Sequence, residues 1–341
     1  MCARPASVTI DGIAGNGRQK LSGEDFVPMK LLTFAAADGA RVGCVAPEGI
    51  VDLTGALSAT RPDLAETAGS MLSIVRSGVD IDAIGTECLD RLRGEGRLAG
   101  YVVEAPDYLP PILRPPKILA LALNYQAHID ETDLDFYNEP IVFEKYASSM
   151  VGHEGEIELP PFPQKVDEEH ELALVVSRPC RHVSAAEAPG HVFGWTICND
   201  VSARDRQRER LRMGQPYSYA KNFATFCPIG PWIVTAKELA DPRNLKQEVR
   251  INGKVTREGN TGDMIFDPFE VLAYCSDYTP LEPGDVISLG TYSGEKKIED
   301  GDTVELETEG IGVLRNRVVA SKVPWHTFAA GKPTGPMVRN G

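Results

Sequence analysis

The chain has 341 residues, of which 42% are hydrophobic and 25% charged, and a formal net charge of −14. This is an ordinary globular composition, long enough for one large domain plus a smaller one around a sizeable core. The acidic balance excludes a basic footprint for nucleic acid and leaves room for a bound cation.

Seven cysteines, at 2, 44, 88, 180, 198, 227 and 275, are scattered and form no C-x-x-C pair. That spacing argues against a disulfide framework or a structural zinc site and favours a reducing, cytoplasmic setting. No apolar run approaches the ~18 residues of a membrane span, so no membrane partner is expected. Residues 1–28 contain no signal-peptide core and are read as a loose extension, with the fold starting at Met29.

From Met29, "MKLLTFAAADGARVGCVAPEGIVDLTGAL" has short apolar runs broken by Asp-Gly and Glu-Gly, as in antiparallel hairpins. Weakly helical stretches follow at 62–77 and 86–96. "APDYLPPILRPPK" (105–117) holds five prolines and is read as a linker, neither helix nor central strand. Beyond it, strands are expected at Ile118–Leu123, Ile141–Phe143, Glu169–Ser177, Phe193–Asn199, Trp232–Thr235, Glu248–Asn252, Val286–Gly290 and Thr303–Thr308. Helices are expected at 202–212, capped by Asp200 or Ser202, and at 267–278, opened by Asp267, Pro268 and Glu270. The sum is a β-rich α+β fold rather than an alternating βαβ series. Its expected divisions are 1–28, a small α/β domain at 29–112, a larger domain at 113–320 and a tail at 321–341.

Four stretches carry candidate chemistry. In "LALNYQAHIDE" an apolar strand ends at Asn124-Tyr125, and His128 and Glu131 follow three residues apart. On one helical turn the carboxylate can orient the imidazole as a general base, although H-x-x-E alone equally describes a surface pair. In "KVDEEHELALVV" Asp167, Glu168, Glu169 and Glu171 stand at a strand entrance. Strand alternation puts Glu169 and Glu171 on one face, roughly 6.6–6.8 Å apart, with Ala173 and Val175 continuing it inward. A solvated strand entry and a hard-cation site are both open readings there. In "GWTICNDVSARDRQ" Asp200 sits between a strand end and a helix start, as a further acid or only an N-cap. Lys221, among apolar and aromatic neighbours in "YAKNFATF", and Thr291, ending a strand, can be functional or structural.

Taken together, N-Y-x-x-H-x-x-E, D-x-E-x-E-L, N-D-V-S-A-R-D-x-Q, K-x-F-x-T-F-x-P-I-G-P-W, D-M-I-F, P-G-D-V-I and G-T resemble the fumarylacetoacetate hydrolase family over roughly residues 115–318. The resemblance implies a β-roll catalytic domain, commonly in a homodimer. Glu169, Glu171 and Asp200 would bind Mg²⁺ or Mn²⁺, with Ca²⁺ a further option. His128 and Glu131 would activate water on a lid, and Lys221 would stabilise developing negative charge. Arg204, Gln207 and Thr291 would line the substrate site, and Tyr125 and Tyr217 would join an apolar wall. Asp167 and Glu168 are expected to be a wet rim. The implied reaction is hydrolysis of a C–C bond in an acylpyruvate- or fumarylpyruvate-type 2-oxo acid. Decarboxylation, isomerisation or hydration of a 2-oxo dioate on the same site is the alternative, and a non-catalytic binding protein a further one. Three departures bear on substrate choice: an acidic lid "HIDETDLDFYNEP", Ala224 where Asp is frequent, and Tyr292 where proline is frequent.

Overall fold

The computed structural model describes residues 29–130, 138–163 and 165–322. The 1–28 extension, residues 131–137 of the expected lid, and all of the tail except Ser321 and Lys322 lie outside them.

The chain opens as an antiparallel meander, Lys30–Ala36, Gly39–Ala46 and Gly49–Asp52. Its two turns use the expected glycines, Gly39 at φ +130° and Gly49 at φ +118°. This meander is continuous with the main sheet, because Lys30 pairs with Val234 of the strand Cys227–Thr235. The sheet then runs through Val192–Asn199, His170–Val176, Val286–Thr291, Ile118–Ala122 and Ile141–Lys145. The proline-rich stretch contributes a short strand, Asp107–Leu109, paired with Lys30–Ala36. The expected boundary at 112/113 therefore cuts across one sheet.

A second sheet holds Lys254–Asn260, Lys246–Ile251, Thr303–Thr308, Gly312–Ala320 and Glu156–Leu159. Gly312–Ala320 escaped the sequence reading because one of its inward positions is Asn316, where a hydrophobic residue would mark the face. The Asn316 amide is buried and donates to the carbonyls of Gly152 and Gly155, both at 2.9 Å.

The strand His170–Val176 is buried along its whole length. Leu172, Leu174 and Val176 enter a core with Trp195, Phe226 and Leu289. Ala173 and Val175 enter a second core, packed by Leu53, Leu57, Ile74 and Leu92 from three helices. Burial on both faces accounts for its unbroken apolar run, and each large aliphatic contributes about 1.5–3 kcal/mol. Those helices are Leu53–Thr60, Met71–Ser77 and Ile81–Gly94. The first was not anticipated; Asp52 starts it by accepting from the Gly55 N–H at 2.9 Å. At Pro268–Tyr278 the expected capping box is present, with Asp267 and Glu270 each accepting the other's backbone N–H.

His153 supplies a pH handle on this fold. Its Nδ1 accepts the Arg315 N–H at 3.0 Å, and Tyr108 meets its ring edge-on at 4.7 Å. Burial, then the Arg315 charge, pushes its pKa down to about 4. Glu154, 3.5 Å from Nε2, is half-exposed and too screened to reverse this. The unfolded imidazole takes its proton near pH ~6.5, before the folded one. This contribution to stability is therefore complete above that pH and falls as pH drops toward the folded value, by about 2–3 kcal/mol. Urea titrations of wild type and His153→Gln at pH 7 and 4.5 should show the variant losing less stability on acidification. Equal losses would mean that His153 is not the group responsible.

Candidate metal centre

Antiparallel register assembles the acids. Glu171 pairs with Cys198, and His170 with Asn199, across neighbouring strands. Asp200 is thereby carried alongside Glu169, and its N–H donates to the Glu169 carbonyl at 2.9 Å. Asn199 locks the corner, its Oδ1 accepting the Glu169 N–H at 2.9 Å. One carboxylate oxygen from each of Glu169, Glu171 and Asp200 lies within 4.8 Å of the others. All three residues are at most 4% exposed.

Three buried cations face them. Lys221 donates to Glu169 at 2.7 Å and Asp200 at 2.5 Å. Lys145 donates to Asp200 at 2.5 Å and to the carbonyls of Lys221 and Phe226. Arg204 pairs with Glu169, with Asp167 at 3.0 Å and with Glu295 at 3.3 Å. Burial opposes the charge on Glu169, but Lys221 and Arg204 overcome it and hold the carboxyl well below its usual range. Burial likewise opposes the Lys145 and Lys221 ammonium groups, and Asp200 raises both above their usual values.

Glu171 is different. Burial, then the charge on Asp200, pushes its carboxyl well above the ordinary range. Ser288 Oγ and the Gly290 N–H donate to its Oε2, at 2.5 and 3.1 Å. Gly290 is required at this point: it adopts φ +87°, and a Cβ there would stand 2.9 Å from the Cβ of Asn124. A buried carboxylate short of positive charge, beside two others, fits a hard divalent cation with oxygen ligands. The donor set therefore suits Mg²⁺ or Mn²⁺.

The other anticipated residues fall into place unevenly. His128 lies on the turn Gln126–Ile129, its side chain 12% exposed. Glu131, its expected partner, lies outside the described residues. Among the described residues Glu295 approaches His128, with Oε1 3.2 Å from its Nδ1, at ion-pair distance but off the hydrogen-bond line. Arg204 is engaged by three carboxylates and by Gln207, whose Oε1 accepts from it at 2.7 Å. Tyr217 packs on Phe143 with centroids 5.6 Å apart, and burial pushes its phenol up to about 12. Thr291 is buried at the end of its strand and accepts from Arg257 at 3.1 Å. Tyr125 is 2% exposed, with its hydroxyl on Gln247 at 3.2 Å, so it sits inside the core.

Two expectations are overturned. Asp167 and Glu168 are no wet rim: they are 1% and 0% exposed. Arg204 covers Asp167, and Arg257 covers Glu168 at 2.6 and 3.1 Å. Neither Asp200 nor Ser202 caps the helix Arg204–Arg212, which follows Ala203 without a side-chain cap. Asp200 is held by lysines, and Ser202 Oγ donates to Glu169 at 2.9 Å. The sequence reading also missed Lys145, Arg257 and Glu295. Only Lys145 left a signal, as a lysine two residues past the apolar run Ile141–Phe143.

Three buried carboxylates at the ends of two interior strands of a large, β-rich mixed sheet form a cluster that could hold a metal ion. Residues 117–319 match the family described as fumarylacetoacetate (FAA) hydrolase C-terminal. The chain belongs to the fumarylacetoacetate hydrolase family. The mitochondrial oxaloacetate tautomerase FAHD2A of Homo sapiens is 42% identical over 219 residues, 62% of this chain and 69% of the relative. A 5-carboxymethyl-2-hydroxymuconate delta-isomerase from Mycobacterium smegmatis is 31% identical, with TM-score 0.63, over 86% of this chain and all of that one. Maleylpyruvate hydrolase from Sphingobium sp. SYK-6, solved with manganese(II) and pyruvate, is 30% identical with TM-score 0.66 over the same shares, 86% and 100%. These three are named as a tautomerase, an isomerase and a hydrolase. Among the described residues, no helix is long and apolar enough to cross a membrane.

Proposed function

We propose that this protein is a divalent-metal-dependent enzyme that moves a proton on a small 2-oxo acid. Keto–enol tautomerisation of an oxaloacetate-type 2-oxo dioate is the first reading. The observation that carries it is an imidazole, His128, paired with Glu295, which Arg204 links to Glu169 of the buried carboxylate cluster. Proton transfer needs only such a base, and the 42% identity to an oxaloacetate tautomerase points the same way.

Glu169, Glu171 and Asp200 would hold Mg²⁺ or Mn²⁺. When bound, that ion supplies a Lewis acid for the 2-oxo group and its enolate. His128 takes the C3 proton of the keto form and returns a proton to the enol oxygen, or the reverse, so the net change is isomerisation. Lys221 and Lys145 hold Asp200 in place and keep the centre's charge near balance. Tyr217 and Phe143 form an apolar wall beside Lys221. Arg204 positions Glu169 and Glu295 and is not free to clamp a substrate carboxylate while those pairs persist.

Hydrolysis of a C–C bond in an acylpyruvate or fumarylpyruvate is the second reading, favoured by the likeness to a manganese- and pyruvate-bound hydrolase. There His128, with Glu131 as the sequence suggests, would deprotonate an attacking water. Six buried, free cysteines among the described residues suit a reducing compartment such as the cytoplasm, and a homodimer is part of the proposal.

The test supplies Mn²⁺-loaded protein with enol-oxaloacetate and, separately, with acylpyruvates. Enol absorbance is followed alongside released pyruvate and CO₂. Enol–keto equilibration faster than with Mn²⁺ alone, without pyruvate, supports tautomerisation. Pyruvate with the matching free acid supports hydrolysis. No acceleration with any 2-oxo acid would defeat both.

A further inference from the structure

We infer that Glu295 is a positioning residue for His128, presented by a loop that Glu168 and Arg257 clamp. The inference rests on His128 being the proton carrier proposed above. The loop runs from Thr291, at the end of its strand, to Lys297, where it bridges to Asp167. Arg257 reaches across from the second sheet and fixes its start, donating to the Tyr292 carbonyl at 2.5 Å and to Thr291 Oγ1 at 3.1 Å. Glu168 fixes its end: its carboxylate accepts the Lys296 N–H, and its own N–H donates to the Lys296 carbonyl, both at 3.1 Å. Glu168 and Arg257 are paired to each other, at 0% and 8% exposure. Only Ser293, Gly294 and Glu295 lie between the anchors, and Gly294 bends the chain at φ +87°.

A loop held at both ends presents its one acid in a fixed place. The Glu295 side chain is 10% exposed, between His128 Nδ1 and Arg204. A carboxylate at Nδ1 keeps the proton on that nitrogen and leaves the lone pair on Nε2, the tautomer and orientation a base needs. Arg204 holds the carboxylate from its other side, with Nη2 3.3 Å from Oε1. The approach is loose in this structure, as is common for catalytic pairs before substrate binds. Glu168 thereby acts as a brace for the loop.

The test uses ¹⁵N-histidine-labelled full-length protein with Mg²⁺, comparing wild type, Glu295→Gln and Glu295→Asp. His128 is assigned by loss of its signals in His128→Gln. Wild type should show the Nδ1–H tautomer, and Glu295→Gln a shift toward Nε2–H. With a turned-over 2-oxo acid, Glu295→Gln should lower kcat about 10–100-fold, with KM changed less than about threefold, and Glu295→Asp should recover part of it. Mn²⁺ affinity should stay within about twofold, because Glu295 is outside the carboxylate centre. An unchanged tautomer, or metal affinity lost in step with kcat, would overturn the inference. If wild type turns over no 2-oxo acid, the functional reading fails, while the tautomer measurement still decides the role of Glu295.

Discussion

Replacing Asp200 with alanine is expected to abolish tight divalent-metal binding and to destabilise the protein by about 3–5 kcal/mol. The two effects have separate causes. Asp200 offers one of three clustered donor oxygens, so its loss should cost more metal affinity than the ~10–100-fold typical of an outer-shell change. It is also the shared counter-charge of Lys145 and Lys221, whose side chains are 0% and 4% exposed. Removing it leaves the buried Lys145 ammonium with backbone carbonyls alone and Lys221 with Glu169 as its one carboxylate, and breaking one side of a buried ion pair is far costlier than replacing the whole pair. Glu171→Gln separates the effects. Its carboxyl has no cationic partner at hydrogen-bond distance among the described residues; a serine hydroxyl and a backbone N–H hold it. That variant should lose the metal while changing stability by no more than about 1 kcal/mol. Calorimetric Mn²⁺ titration and urea unfolding of metal-free protein read the two quantities independently. A stable Asp200→Ala variant would mean that the lysines are not held as described.

His128→Ala is expected to lower turnover of the 2-oxo substrate by about 10²–10⁴-fold, the usual contribution of a positioned acid–base group. Metal affinity should remain near wild type, because His128 meets Glu295 rather than the three-carboxylate centre. The fold should tolerate the change, since the side chain is partly exposed on a single helical turn. Steady-state kinetics at saturating Mn²⁺ check this. Unchanged turnover would put the proton carrier elsewhere, and a parallel loss of metal would place His128 in the metal site.

The parts of this site legible in the sequence are those written by local rules. Alternation from Glu169 to Val175 predicted which acids share a face, and Ala173 and Val175 do lie on a buried side continuous with Glu171. The end of the strand Val192–Asn199 pointed to Asp200, and the Asp267–Pro268–Glu270 start was readable as a cap. What stayed hidden depends on contacts across sheets. Lys145 meets Asp200 from 55 positions away, and Arg257 meets Glu168 from 89. No periodicity announces such pairs, so Asp167 and Glu168 read as solvent-facing when each is buried against an arginine. Glu295 is the extreme case: in sequence it is one acid after a glycine turn, and only the clamped loop gives it a place beside His128.

The central claim is that Glu169, Glu171 and Asp200 form a divalent-metal site. Anomalous diffraction from Mn²⁺-soaked crystals, recorded at the manganese edge, tests it most directly. One strong peak is predicted, coordinated by an oxygen from each of these three carboxylates and absent in Glu171→Gln. A peak elsewhere, or none between these carboxylates at saturating Mn²⁺, would contradict it.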